Sequence, residues 1–142
     1  MSPSVEALLQ QYPDAQAWAF GDTPELMDTL ANLVVRGIKT ATSGSLAADL
    51  QQAPLRVGSY HIVLNSADLP VCVIRIHSQG LIRFCDMSEA LAALEGEGDR
   101  TLRHWQAAHR DFFRREGTYS EEMELVYTTF RLVSVVRANA QS

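Results

Sequence analysis

Tyr60-His61-Ile62-Val63-Leu64, a polar turn from Asn65 to Leu69, and Val71-Cys72-Val73-Ile74-Arg75-Ile76 after Pro70 make up the stretch that decides the fold. Both runs are rich in β-branched and aromatic residues, and the turn carries Asn, Ser and Asp, so they predict neighbouring strands of one sheet. Gly80 predicts a kink before Leu81 to Phe84 continues that sheet, and the alternating stretch Glu124 to Val136 predicts a closing strand. Helices lie on both sides of these strands. Val5 to Gln11 predicts a short one. Thr23 as cap, Pro24 at the first helical position and Glu25 in the first turn start a second. Its Leu26, Leu30, Leu33 and Val34 recur at helical spacing, and Gly37 suits a left-handed C-terminal cap. Residues 45–52 have room for one or two helical turns. Ser88 caps a short helix through Leu94, and Asp99 caps the longest, whose stripe Leu102, Trp105, His109 and Phe112 ends at Gly117. Strands in one sheet with helices toward both chain ends predict an α+β domain or a small helix-decorated barrel.

The 142 residues and 46% hydrophobic content fit one domain spanning 1–142. No apolar window of membrane-spanning length or secretion leader is visible, so the expectation is a soluble, cytoplasmic protein with no membrane partner. A net charge of −5 argues against a protein that coats nucleic acid, which needs a strongly basic face, and leaves room for a local nucleic-acid site. Cys72 and Cys85, without a CxxC or paired histidines, read as inert buried thiols. Of the 12 basic residues, Lys39 alone is lysine. Unlike arginine, a lysine tuned by burial can act as a base near neutral pH.

Lys39 opens the run Lys39-Thr40-Ala41-Thr42-Ser43-Gly44-Ser45, which is too polar for a core strand and predicts a loop or irregular strand. A lysine amine beside a threonine hydroxyl can activate that hydroxyl for attack on an amide, with a glutamate to orient the amine or carry a proton. Equally, Lys39 can be a cation at a helix C-terminus and Thr42 a loop hydroxyl bonded to its own backbone. Glu95-Gly96-Glu97-Gly98-Asp99 offers carboxylates for such a site, or is a solvated connection between helices. Trp105 and His109, four apart on a helix, predict mutual packing, while His104 and His109 point apart and make no metal pair. Arg75, Arg83, Arg100 and Arg103 form either a phosphate-facing rim or a mixed solvated surface.

Phe20-Gly21-Asp22, Gly37 to Ser43, and Glu95 to Leu102 followed by Trp105, His109, Phe112 and Phe113 together resemble the bacterial ASCH-domain family, over a core of about residues 20–136 preceded by a helical extension at 4–12. The resemblance implies a PUA-like fold, a small mixed β-barrel with surrounding helices and a cleft suited to RNA or nucleotides. Relatives in this wider group hydrolyse N4-acylated cytidine with a lysine, a threonine three residues on, and a glutamate. Others bind or cleave RNA. Carried over by motif, the catalytic residues are Lys39, Thr42 and, with one gap, Glu97. Glu95 is the nearest rival, expected to stay in water because Gly96 lets the backbone turn one carboxylate inward and the other out. We read Thr40, Ser43 and Ser45, with Arg75 and Arg100, as substrate-binding. The expected partner is a modified nucleoside, with single-stranded RNA as the alternative. No cofactor or metal ligand set is expected, and a divalent metal enters only if the activity is ribonucleolytic. Ile76 to Gly80 and Arg83 depart from the family's usual pattern, which leaves substrate identity open.

Overall fold

The computed structural model describes residues 4–52 and 55–136. In chain order the elements are α1 (Val5–Gln11), β1 (Gln16–Trp18), α2 (Pro24–Val35), β2 (Ala41–Ser45), α3 (Leu46–Asp49), β3 (Tyr60–Leu64), β4 (Pro70–Arg83), α4 (Glu89–Glu95), α5 (Leu102–Glu116) and β5 (Glu124–Val135). The five strands form one mixed sheet in the order β1-β3-β4-β5-β2, in which only β1 and β3 run parallel. The sheet curls into a half-barrel with helices packed on it, an α+β fold of the PUA-like type. Because β1 and β2 are its edges and do not pair, the barrel stays open on one side.

Most expected elements form where the sequence places them. Thr23 Oγ1 accepts from Leu26 N at 3.2 Å, Pro24 begins α2, and Gly37 leaves the helix at φ 75°. Leu30, Ala31 and Val34 of α2 pack on Cys72, Ile74 and Ile76, the alternate residues on one face of β4. Each such aliphatic side chain, taken fully from water, contributes about 1.5–3 kcal/mol. A second apolar cluster lies under α4 and α5, with Trp105 and Phe113 against Phe84, Leu125 and Tyr127.

Four expectations need correction. Gly80 does not break the strand, since β4 runs unbroken from Pro70 to Arg83 and pairs with β5 through two register shifts. The polar run after Lys39 is a regular edge strand, because Ser43 and Ser45 hand their buried hydroxyls to Glu95 and Glu116 at 2.8 and 2.6 Å. Thr101, not Asp99, caps α5: its Oγ1 accepts from His104 N at 3.1 Å while donating to Asp99 Oδ1 at 2.7 Å. Cys72 is buried and its thiol is pushed up to about 12 by desolvation, whereas Cys85 is exposed because Phe84 takes the inward side of their short 3-10 turn. Strand β1 went unread, being only three residues long. The outer bounds at Met1 and Ser142 lie outside the described residues.

Candidate active site

The turn after α2 carries Lys39 back into the molecule. Ile38 N and Lys39 N both donate to Leu33 O, at 3.0 and 3.1 Å, and Thr40 N donates to Leu94 O at 2.9 Å. This leaves the Lys39 side chain 1% exposed. Its Nζ donates to Ala41 O at 2.9 Å, Glu97 Oε2 at 3.0 Å and Glu95 O at 3.4 Å. Three ammonium protons thus meet three acceptors, with the Phe20 ring 5.3 Å away. Gly96 makes the arrangement fit. At φ 75° it ends α4, and a Cβ there would stand 2.6 Å from Ile38 O, so no other residue lets α4 approach the Ile38 backbone, next to Lys39, so closely.

Glu95, expected in water, is fully buried. Its Oε2 accepts from Ser43 Oγ and Trp105 Nε1, both at 2.8 Å. Oε1 faces His109 Nε2 at 3.2 Å and Lys39 Nζ at 3.8 Å. His109 stacks on Trp105, with centroids 4.3 Å apart, and gives its Nδ1 proton to Trp105 O at 2.9 Å. Burial pushes the Glu95 carboxyl up, but the bond with His109 and the charges of Lys39 and His109 outweigh it and hold the group below the usual carboxylate range. Burial pushes His109 down, and its bond to Glu95 more than reverses that. Both directions favour the charged forms of Glu95 and His109 facing each other in the interior. Glu97 sits at the edge of this cluster, its side chain 16% exposed and bonded to Lys39.

A cleft opens beside the cluster between the Gln16–Gly21 segment, β2 and α5. Its larger chamber, about 400 Å³, is lined by Trp18, Phe20, Phe112, Thr42, Ser45 and Glu116 among others, and falls in the size range of small-molecule sites. A smaller recess of about 90 Å³ continues inward past Phe20, Thr42 and Ser43 to Glu97 and His109. Arg115, at the recess, is held by Asp22 through two bonds of 2.9 and 3.0 Å. Among the described lining residues the cleft therefore offers no unpaired cation.

The structure brings Lys39, Glu97, Ser43 and Glu95 into contact and places Thr42 on the cleft wall. Lys39 does not touch Thr42 Oγ1, but it holds the carbonyl of the Ala41–Thr42 peptide. Ser45 lines the cleft while bonded to Glu116. Thr40 Oγ1 turns to Leu94 O instead, and Arg100 is an exposed loop residue at φ 65° outside the cleft. Arg75 lies between Ile74 and Ile76, whose side chains face α2, and so points to the opposite face of the sheet. Two residues take a larger part than the sequence gives them, Glu95 as the rival carboxylate and His109 as a packing residue. Glu95 follows the buried Ala92 by three residues, so the helical phase of α4, extended one residue past Leu94, marks it as inward-facing. His109 was read as packing alone.

Glu95, Glu97 and His109 each offer a ligand atom within 4.8 Å of the others. The trio does not fit a divalent ion, because the Lys39 ammonium, fixed to the chain, already stands 3.0 Å from Glu97 and 3.8 Å from Glu95. A second cation among them would face a like charge at close range.

A family model described as an ASCH domain matches residues 16–134. The ASCH domain from Lactobacillus crispatus superposes with a TM-score of 0.81 at 34% identity, covering 93% of this chain and 87% of that one. A protein from Enterococcus faecalis described by the family model DUF984 gives 0.79 at 30% identity, covering 92% and 85%. No curated protein matches the sequence. Among the described residues no helix is long and apolar enough to cross a membrane.

Proposed function

This chain belongs to the ASCH-domain family, and from that premise we propose that it hydrolyses the amide of a small acylated nucleoside of the N4-acylcytidine type. The observation that carries this reading is that Thr42 and Glu97 line one recess of a small-molecule cleft with no free cation among its described lining residues. Such a cleft suits a neutral substrate. A polynucleotide needs cations for its phosphates, so the ribonuclease reading finds no footing in the cleft.

In this scheme Thr42 Oγ1 attacks the acyl carbon while the Lys39–Glu97 pair takes its proton, Glu97 being the member that faces the recess. The carbon–nitrogen bond breaks, and the same proton passes to the exocyclic nitrogen to release cytidine. Water then cleaves the Thr42 ester and frees the carboxylic acid. Lys39 positions both partners, holding the Ala41 carbonyl on one side and the Glu97 carboxylate on the other.

Incubation with N4-acetylcytidine, followed by chromatography, tests the reading. Cytidine should appear with the native protein and not with Thr42→Ala, and Glu97→Gln should slow its release about 10²-fold or more, as for a lost acid–base contribution. No turnover by the native protein, or cleavage of single-stranded RNA instead, overturns the proposal.

A further inference from the structure

Strand β2 pairs with β5 along one edge only, and its residues line the cleft. Which backbone groups face the free edge follows from the phase of the ladder. Phe130 N donates to Thr40 O at 3.0 Å, and the register pairs Thr42 with Thr128, Ser43 with Tyr127 and Gly44 with Val126. Hydrogen-bonded and non-hydrogen-bonded pairs alternate in an antiparallel ladder, so Thr42 and Gly44 direct their N–H and C=O groups to β5, while Ala41 and Ser43 turn theirs outward. Ala41 O bears this out, since it accepts from Lys39 Nζ at 2.9 Å.

The Ser43 N–H therefore points away from β5, in a residue 9% exposed that lines both the chamber and the recess. Among the described residues no acceptor is bonded to it. A backbone N–H left so in a buried residue costs free energy comparable to a lost hydrogen bond. The segment is also held from both sides. Lys39 holds the Ala41 carbonyl, and the Ser43 hydroxyl donates to Glu95 Oε2 at 2.8 Å. Thr42 stands between these two anchors.

We propose that the Ser43 N–H is the oxyanion donor of the reaction, an inference that rests on the reading of Thr42 as nucleophile. As Thr42 Oγ1 bonds to the acyl carbon and its proton passes to the Lys39–Glu97 pair, the carbonyl π electrons move onto oxygen. The Ser43 N–H donates to the negative charge that forms there. Collapse returns those electrons to the carbonyl, breaks the carbon–nitrogen bond and sends the held proton to the exocyclic nitrogen. The amide next after a nucleophile lies within reach of the oxygen of an adduct on that nucleophile, a placement that hydrolases with a strand-to-helix nucleophile turn also use. A donor fixed before the reaction needs no reorganisation when the charge appears.

Ser43→Pro removes this N–H, and proline is tolerated on an edge strand whose N–H faces outward. Ser43→Ala loses the same hydroxyl and keeps the N–H, so the two variants are compared with each other. On N4-acetylcytidine the proline variant should show a kcat about 10²-fold or more below that of the alanine variant, with KM little changed, as for one lost oxyanion donor. Circular dichroism and Tm establish that both are folded. A second probe needs no variant. N4-thioacetylcytidine puts a larger, weakly accepting sulfur where the charge develops, and the native protein should release cytidine from it about 10²-fold or more slowly than from N4-acetylcytidine, each rate corrected for that in dilute hydroxide. Equal kcat in the two folded variants, or corrected native rates within about tenfold of each other, overturns the inference and leaves the hydrolase reading to Thr42→Ala. If the proline variant does not fold, the thioacetyl comparison decides alone. No turnover of N4-acetylcytidine by the native protein overturns both.

Discussion

Two buried histidines, at opposite sides of the sheet, show how neighbours decide what a side chain can do. His61, on β3, accepts from Trp18 Nε1 at 3.1 Å. Indole nitrogen only donates, so His61 Nδ1 carries no proton and Nε2 passes its own to Ser59 Oγ at 2.7 Å, which in turn donates to Arg56 O at 2.6 Å. Every valence in that chain is used, and no carboxylate stands in it. Desolvation alone sets the ring's balance, pushing it down. His109 has Glu95 Oε1 3.2 Å from its Nε2, and that carboxylate more than reverses the effect of the same burial. A Ser–His contact is therefore no sign of a nucleophile at His61, because its proton already points the wrong way. The region whose histidine has a carboxylate beside it is the one that opens on the cleft.

The largest test of this contrast removes the cation that the His61 region lacks. Lys39→Met should cost about 3–5 kcal/mol in urea unfolding, because Glu95 and Glu97 are left facing each other without it. Lys39→Arg should also destabilise, since a longer, planar guanidinium has no room at a position 1% exposed. A loss under about 1 kcal/mol in the Met variant, the value of a surface pair, would mean the cluster is wet. Glu95→Gln comes next, at about 2 kcal/mol, the usual loss of a hydrogen bond to a charged group. It should also return His109 to the behaviour of a merely desolvated ring.

The pH profile then sets the two histidines against each other. His109 is held above its ordinary value of about 6.5, so its contribution is whole below that pH and lost as pH rises through the folded value. His61 is held below, so its contribution is whole above about 6.5 and lost as pH falls through its folded value. Measured as Tm from mildly acid to mildly alkaline pH, His109→Phe should tilt the profile toward high pH and His61→Gln toward low pH. Tilts of the same sign would erase the distinction. The smallest effect is expected from Ser59→Ala, about 1–1.5 kcal/mol for its two neutral hydrogen bonds, one of them exposed, with cytidine release untouched.

Much of this was legible in the residues. Strands β3 and β4 and helix α2 announced themselves because their hydrophobic spacing and caps agreed with their tertiary surroundings. Lys39 stood out by composition, and the structure buries it. What stayed hidden depended on distant partners. Ser43 and Ser45 look like loop residues until Glu95 and Glu116 arrive to satisfy them. Glu95 looked solvated because charged groups usually are, and the cation, indole and hydroxyl that make its burial tolerable come from three other segments. Arg75 was assigned to the cleft from its chemistry alone, and the alternation of β4 carries it to the opposite face.

The contact of Gly96 with the Ile38 backbone also makes the protein its own reporter of motion. Lys39 is the chain's sole lysine, and its amine is enclosed by acceptors two, 56 and 58 positions away. An amine-acylating reagent can reach it only when α4 lifts from the turn behind α2. The slow labelling of that single side chain under native conditions would count how often this corner opens, as distinct from how often the whole chain unfolds.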